Sequence, residues 1–159
     1  MKLLVFSDSH GNLDYMRRAV ELEKPDKVLH LGDVTRDAER LREIFPALPV
    51  EQVRGNCDSV SSGWPVEREL FAGGKRLWLL HGHTYRVKMG LSLLLEEART
   101  RGVDGVFFGH THRPLCDFDG RLWVMNPGTA SGIPDATYGV AEINNGQLYC
   151  RTADFKQEG

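Results

Sequence analysis

The sequence predicts an α/β protein in which two β-sheets pack face to face with helices outside, and three observations carry that expectation. Apolar runs of strand length alternate with helix-length segments through the first third of the chain. The second half is rich in strand pairs joined by turn residues, Ala72-Gly73-Gly74-Lys75, Asp119-Gly120 and Asn144-Asn145-Gly146. The chain has 159 residues, no repeat and no linker, so one domain over residues 1–159 is expected.

The elements follow in order. Residues 3–6 form a continuous apolar run, as in a strand buried on both faces. Asn12 can cap a helix over 13–22, which Pro25 stops. A short strand over 28–31 ends at Gly32-Asp33, a helix over 37–45 is closed by Pro46, and a strand over 50–53 runs into Gly55-Asn56. This strand-helix alternation is the pattern of a parallel sheet. Residues 66–71 and 76–80 read as a hairpin, and 91–101 as a helix stopped by Gly102. Strands over 105–108, 115–118, 122–125, 138–143 and 147–151 complete the chain.

Composition narrows the function. A net charge of −2 and a pI near 6.3 lack the basic footprint of non-specific nucleic-acid binding, so nucleic acid is not an expected partner. The cysteines Cys57, Cys116 and Cys150 are odd in number and lack C-x-x-C spacing, which argues against a disulfide framework. The opening apolar run is too short for a signal peptide or a membrane span, and a cytoplasmic protein is expected. A homo-oligomer is left open.

Chemistry concentrates in five motifs, each after an apolar run: Asp8-Ser9-His10, Gly32-Asp33, Gly55-Asn56-Cys57-Asp58, His81-Gly82-His83 and Gly109-His110-Thr111-His112. Ligands of α/β sheets bind beyond the carboxyl ends of strands, so the fold should gather these motifs at one edge. The spacing of two in Asp8/His10 and His110/His112 suggests side chains projecting the same way from extended segments. Carboxylate, imidazole and amide donors together suit Mn, Fe, Ni, Zn or Co better than Ca, and their number fits two ions sharing a ligand better than one. His30 sits within a strand and reads as a satisfied core histidine, and Cys116 and Cys150 as inert strand residues.

The ordered set D-x-H, G-D, G-N, H-G-H and G-H-x-H resembles the calcineurin-like metallophosphoesterase superfamily, and most of all its small bacterial and archaeal phosphodiesterase branch. Asn126-Pro127-Gly128-Thr129 resembles a further segment common there. The resemblance implies a four-layer αββα sandwich of two mixed sheets and a dinuclear metal site, with manganese the foremost choice. Asp8, His10 and His112 would hold one ion, Asn56, His81 and His110 the other, with Asp33 bridging. A hydroxide between the ions would attack a small phosphate ester or nucleotide, Asp33, Asn56, His81 and His110 forming the catalytic group. Asn56, Cys57 and His83 would face the substrate, with His83 in a supporting or phosphate-contacting role.

One departure bears on the substrate. Many superfamily members carry G-N-H-D/E, whose histidine contacts the phosphoryl group; here that place is Cys57, as is usual in the small phosphodiesterase branch. Lacking that imidazole, the chain should favour esters with good leaving groups. The bland reading of Cys57 is a small buried filler, and that of Asn56 a turn former. Asp37 receives no metal role. A phosphomonoesterase and a catalytically weak interaction scaffold of the same fold are the alternatives, but the ligand set lacks no histidine.

Overall fold

The computed structural model describes residues 1–132 and 135–154. The first sheet contains β1 (Lys2–Phe6), β2 (Lys27–His30), β3 (Val50–Gln52), and later β9 (Tyr138–Asn144) and β10 (Gln147–Ala153), ordered β10-β9-β1-β2-β3. The second contains β4 (Glu67–Ala72), β5 (Lys75–Leu80), β6 (Gly105–Phe107), β7 (Leu115–Phe118) and β8 (Trp123–Asn126), ordered β4-β5-β6-β8-β7. Both are mixed. β1, β2 and β3 run parallel, as do β5, β6 and β8, while hairpin partners close each sheet antiparallel.

Alternation along the strands builds the layers. Leu4 and Phe6 of β1 pack on Met16 and Ala19 of α1 (Leu13–Glu23) and Leu41 of α2 (Thr35–Ile44), forming the outer core of the first sheet. Leu3 and Val5 point the other way, onto Leu77, Leu79, Phe107 and Met125 of the second sheet. Trp78 and Leu80 turn outward again to Leu94 and Ala98 of α3 (Ser92–Arg101). The layers are therefore helices, sheet, sheet, helix: the four-layer sandwich expected. All four residues 3–6 are fully buried, as that unbroken apolar run required.

The differences from expectation are local. Helix α2 begins two residues before the expected 37, because the Asp58 carboxylate accepts the Thr35 backbone N–H at 2.9 Å from a separate loop. The hairpin ladder reaches Ala72 opposite Lys75, since Gly73 and Gly74 alone make the turn, both at positive φ. Short 3-10 turns at Val60–Ser62 and His83–Tyr85 had no clear periodic signal. Among the described residues Cys57, Cys116 and Cys150 are all free thiols, and no helix is long and apolar enough to cross a membrane.

Candidate metal centre

The carboxyl ends of β1, β2, β3, β5 and β6 each release one of the five motifs, and the two sheets bring those ends together. The side chains do not converge through extended alternation. Asp8, His10, Asp33, His110 and His112 all adopt positive φ, between 42° and 71°, so each motif bends sharply as it leaves its strand. Such left-handed non-glycine residues are costly and persist where the surroundings determine them. The motifs gather at one edge as their places after the strands implied, but not through the extended segments that the spacing of two suggested. His110 and His112 face different neighbours.

The surroundings can be itemised residue by residue. Ser7 Oγ and the His110 backbone N–H both donate to Asp8 Oδ2, at 2.6 and 3.0 Å. That leaves Asp8 Oδ1 facing three imidazoles: His112 Nε2 at 3.1 Å, His81 Nε2 at 3.7 Å and His10 Nε2 at 3.9 Å. Asp33 is divided the same way. Its Oδ1 accepts the Cys57 N–H at 2.9 Å, while Oδ2 lies 3.4 Å from His81 Nε2. His81 Nδ1 donates to the Leu31 carbonyl at 2.9 Å, which turns Nε2 toward the cluster, and His110 Nδ1 lies 3.2 Å from it.

This arrangement asks for positive charge. Asp8, Asp33 and His81 are buried. Burial disfavours charge on His81, yet Asp33 and Asp8 raise its pKa above the ordinary imidazole value. Burial likewise works against an ionised Asp33, and the contacts with His81 and Cys57 overcome it, leaving the carboxyl well below its usual range. A divalent cation would supply the charge now drawn onto His81 and free its Nε2 as a ligand, with Nδ1 kept on the Leu31 carbonyl. Asp8, His10 and His112 offer ligand atoms within 4.8 Å of one another, and so do Asp8, Asp33 and His81. The residues fit a metal, with Asp8, rather than Asp33, common to the two compact groups.

The other expected residues lie close by. His110 stands against His81, with ring centroids 5.0 Å apart, whereas His112 stands on the side of Asp8 and His10. Burial and the charges of His81 and Lys88 push His110 down to about 4. The His83 ring lies 5.6 Å from His81 and 6.1 Å from His110, and its buried Nδ1 has no hydrogen-bond partner. Asn56 is exposed on the turn after β3, joined to Asp33 through the next residue's N–H. Cys57 is exposed rather than a buried filler, and its hydrogen bond to Asp33 raises the thiol above its ordinary pKa.

The residues that hold these in place carry no expected role from the sequence, although Asp58 lies in a motif and Asn126 and Thr129 in the family-like segment. Asp58 accepts backbone N–H groups from Asp33, Thr35 and Gly55, at 2.9, 2.9 and 2.7 Å, tying two motifs together. Asn126 Nδ2 donates to the Gly109 carbonyl and to Thr111 Oγ1, both at 3.0 Å, and Thr129 Oγ1 donates to the Asp8 carbonyl at 2.8 Å. Asp37 accepts from Ser9 Oγ and from the Gly11 N–H, at 2.6 and 2.7 Å. Two glycines are needed for close approach: a Cβ on Gly55 would meet Asp33 Oδ1, and one on Gly109 would meet Ser7 Oγ and the Asp8 carboxylate. Their positions inside the motifs were the available signal.

A four-layer sandwich with aspartates and histidines gathered at the strand ends defines a metal-binding phosphoesterase class, and the comparisons with known proteins agree. Residues 1–146 match the calcineurin-like phosphoesterase superfamily domain, and the chain belongs to that family. It is 31% identical to the phosphodiesterase YfcE of Escherichia coli K12, over 89% of this chain and 88% of that protein. The probable metallophosphoesterase YsnB of Bacillus subtilis is 32% identical, over 81% of this chain and 75% of the relative. Among solved structures, a predicted phosphoesterase from Streptococcus pneumoniae superposes with a TM-score of 0.79 at 25% identity, covering 96% of this chain and 88% of that one. The Zn-complexed Vps29 of Entamoeba histolytica shares the fold, with a TM-score of 0.74 at 23% identity, covering 98% and 100%.

Proposed function

We propose that this chain is a single-domain, cytoplasmic, metal-dependent phosphodiesterase acting on a small phosphate ester or nucleotide. The observation that carries the reading is the split use of the two buried aspartates. One oxygen of each is held by hydrogen-bond donors, and the other faces imidazole nitrogens. Asp8, His10 and His112 would hold one divalent transition-metal ion, and Asn56, His81 and His110 a second, with Asp33 bridging. Manganese is the first choice, with nickel, iron, zinc or cobalt able to serve. The pair would supply a hydroxide nucleophile at neutral pH and positive charge opposite the phosphoryl oxygens.

The chain's own residues do the rest. The Leu31 carbonyl keeps His81 Nε2 aimed at the cluster, and Asp58 sets the position of Asp33. The half-buried His83, whose ring lies beside that of His110, is a side chain a phosphoryl oxygen could meet. A diester is favoured over a monoester because Cys57 offers no cationic side chain to a second phosphoryl charge. The test is a panel of mono- and diesters with protein reconstituted with each of the metals named above. Bis(p-nitrophenyl) phosphate should be hydrolysed faster than p-nitrophenyl phosphate, and Asp33→Ala should reduce the rate about a hundredfold or more with loss of bound metal. No diester hydrolysis with any of these metals would refute the reading.

A further inference from the structure

Beside the metal cluster lies a cavity of about 800 Å³, within the range of small-molecule sites. Thr111, between His110 and His112 in the chain, forms part of its wall. Its accessible apolar surface comes from Met89, Leu91 and Pro114, beside the buried Val87 and Phe108. Two cationic side chains, Lys88 and Arg113, stand exposed on its lining, and among the described residues no carboxylate lines it. Among the described residues neither Lys88 nor Arg113 makes an ion pair, so both charges are open to a ligand.

We propose that this cavity receives one ester arm of the phosphodiester, an apolar arm carrying a second anionic group that Lys88 and Arg113 bind, as in a nucleotide with a further phosphate. The inference rests on the phosphodiesterase reading above and extends it to a substrate class. A phosphorus held at the cluster would send one substituent past Thr111 into the cavity. The apolar wall gains by covering a nucleoside or alkyl body, since burying it removes apolar surface from water. Two unpaired cations on an otherwise uncharged lining select an arm ending in phosphate or carboxylate.

The test uses two p-nitrophenyl diesters of thymidine 5′-phosphate that differ only in a 3′-phosphate. A second pair has a hexyl arm, plain or ending in a carboxylate. With Mn-loaded protein the charged member of at least one pair should have the higher kcat/KM, by roughly tenfold. Lys88→Ala/Arg113→Ala should bring that ratio close to one. A preference confined to the thymidine pair assigns the cavity to nucleotides, and one in both pairs to anionic arms generally. Equal rates within both wild-type pairs, or a preference that survives in the variant, overturn the proposal. If no diester is turned over, the phosphodiesterase reading falls, and calorimetric titration of metal-free protein with thymidine 3′,5′-bisphosphate decides the cavity alone. Binding weakened roughly tenfold in the double variant upholds it. Absent binding, or equal binding in both proteins, overturns it.

Discussion

His30 joins the core to the site without facing the metal cluster. Its Nδ1 accepts the Gly32 N–H at 3.2 Å, so Nε2 carries the proton toward Ser9 Oγ at 2.9 Å, and Ser9 in turn donates to Asp37. Burial, outweighing the nearby carboxylates, pushes its pKa from 6.5 down to about 4. The folded protein therefore holds His30 neutral, while the unfolded chain takes up a proton near 6.5. Its contribution is intact above that pH and declines as pH falls toward 4, by roughly 3 kcal/mol in all. Denaturant titrations across this range should show a shallower decline for His30→Gln, which should also be about 1–2 kcal/mol less stable at pH 7.5. Its metal-loaded kcat should be nearly unchanged; a collapse of kcat at full folding would place His30 in the chemistry. At Cys57 the expectation is kinetic. Activated aryl diesters should be cleaved much faster than alkyl ones, and Cys57→His, at an exposed position, should flatten that dependence. General acid assistance is typically worth ~10²–10⁴-fold, so partial recovery is measurable, and a shallow wild-type slope would show another group already protonating the leaving oxygen.

At the scale of elements, the start of α2 and the ends of β2 and β3 depend on one carboxylate. Asp58→Ala leaves the Asp33, Thr35 and Gly55 N–H groups without their acceptor, which should cost about 2–4 kcal/mol and weaken metal binding. Asp58→Asn, keeping one acceptor oxygen, should recover part of both, and calorimetry with metal titration would reveal a variant as stable as wild type. This dependence also explains what the sequence could and could not disclose. Every strand and all three α-helices were legible, because apolar runs, Asn12, Gly102 and the turn glycines act within a few residues. The early start of α2 was not, because its cap comes from 23 residues further along. The site was legible as a set of residue types at strand ends. The left-handed bends that aim Asp8 and His112 were not, since they are held by contacts with Asn126 and Thr129 from distant elements.

The whole molecule carries two buried carboxylates that a cation would stabilise, Asp8 and Asp33. Manganese loading should approach two equivalents per chain and raise Tm by about 10–20 °C at a hundredfold excess over Kd, read by scanning calorimetry. A plateau at one equivalent would remove the dinuclear part of the proposal, and an unchanged Tm would remove the metal centre. The sheet order has a consequence of another kind. β1 lies between β2, its near neighbour in the chain, and β9, whose register sets Leu3 opposite Ala141. On a translating ribosome, one side of β1 therefore waits until residues 138–144 have been made. Until the final hairpin emerges, that bare edge is open to any passing strand, the usual starting point of aggregation. A nascent chain stalled before residue 138 should thus be a substrate for chaperones, and the first sheet closes only once β9 has left the exit tunnel.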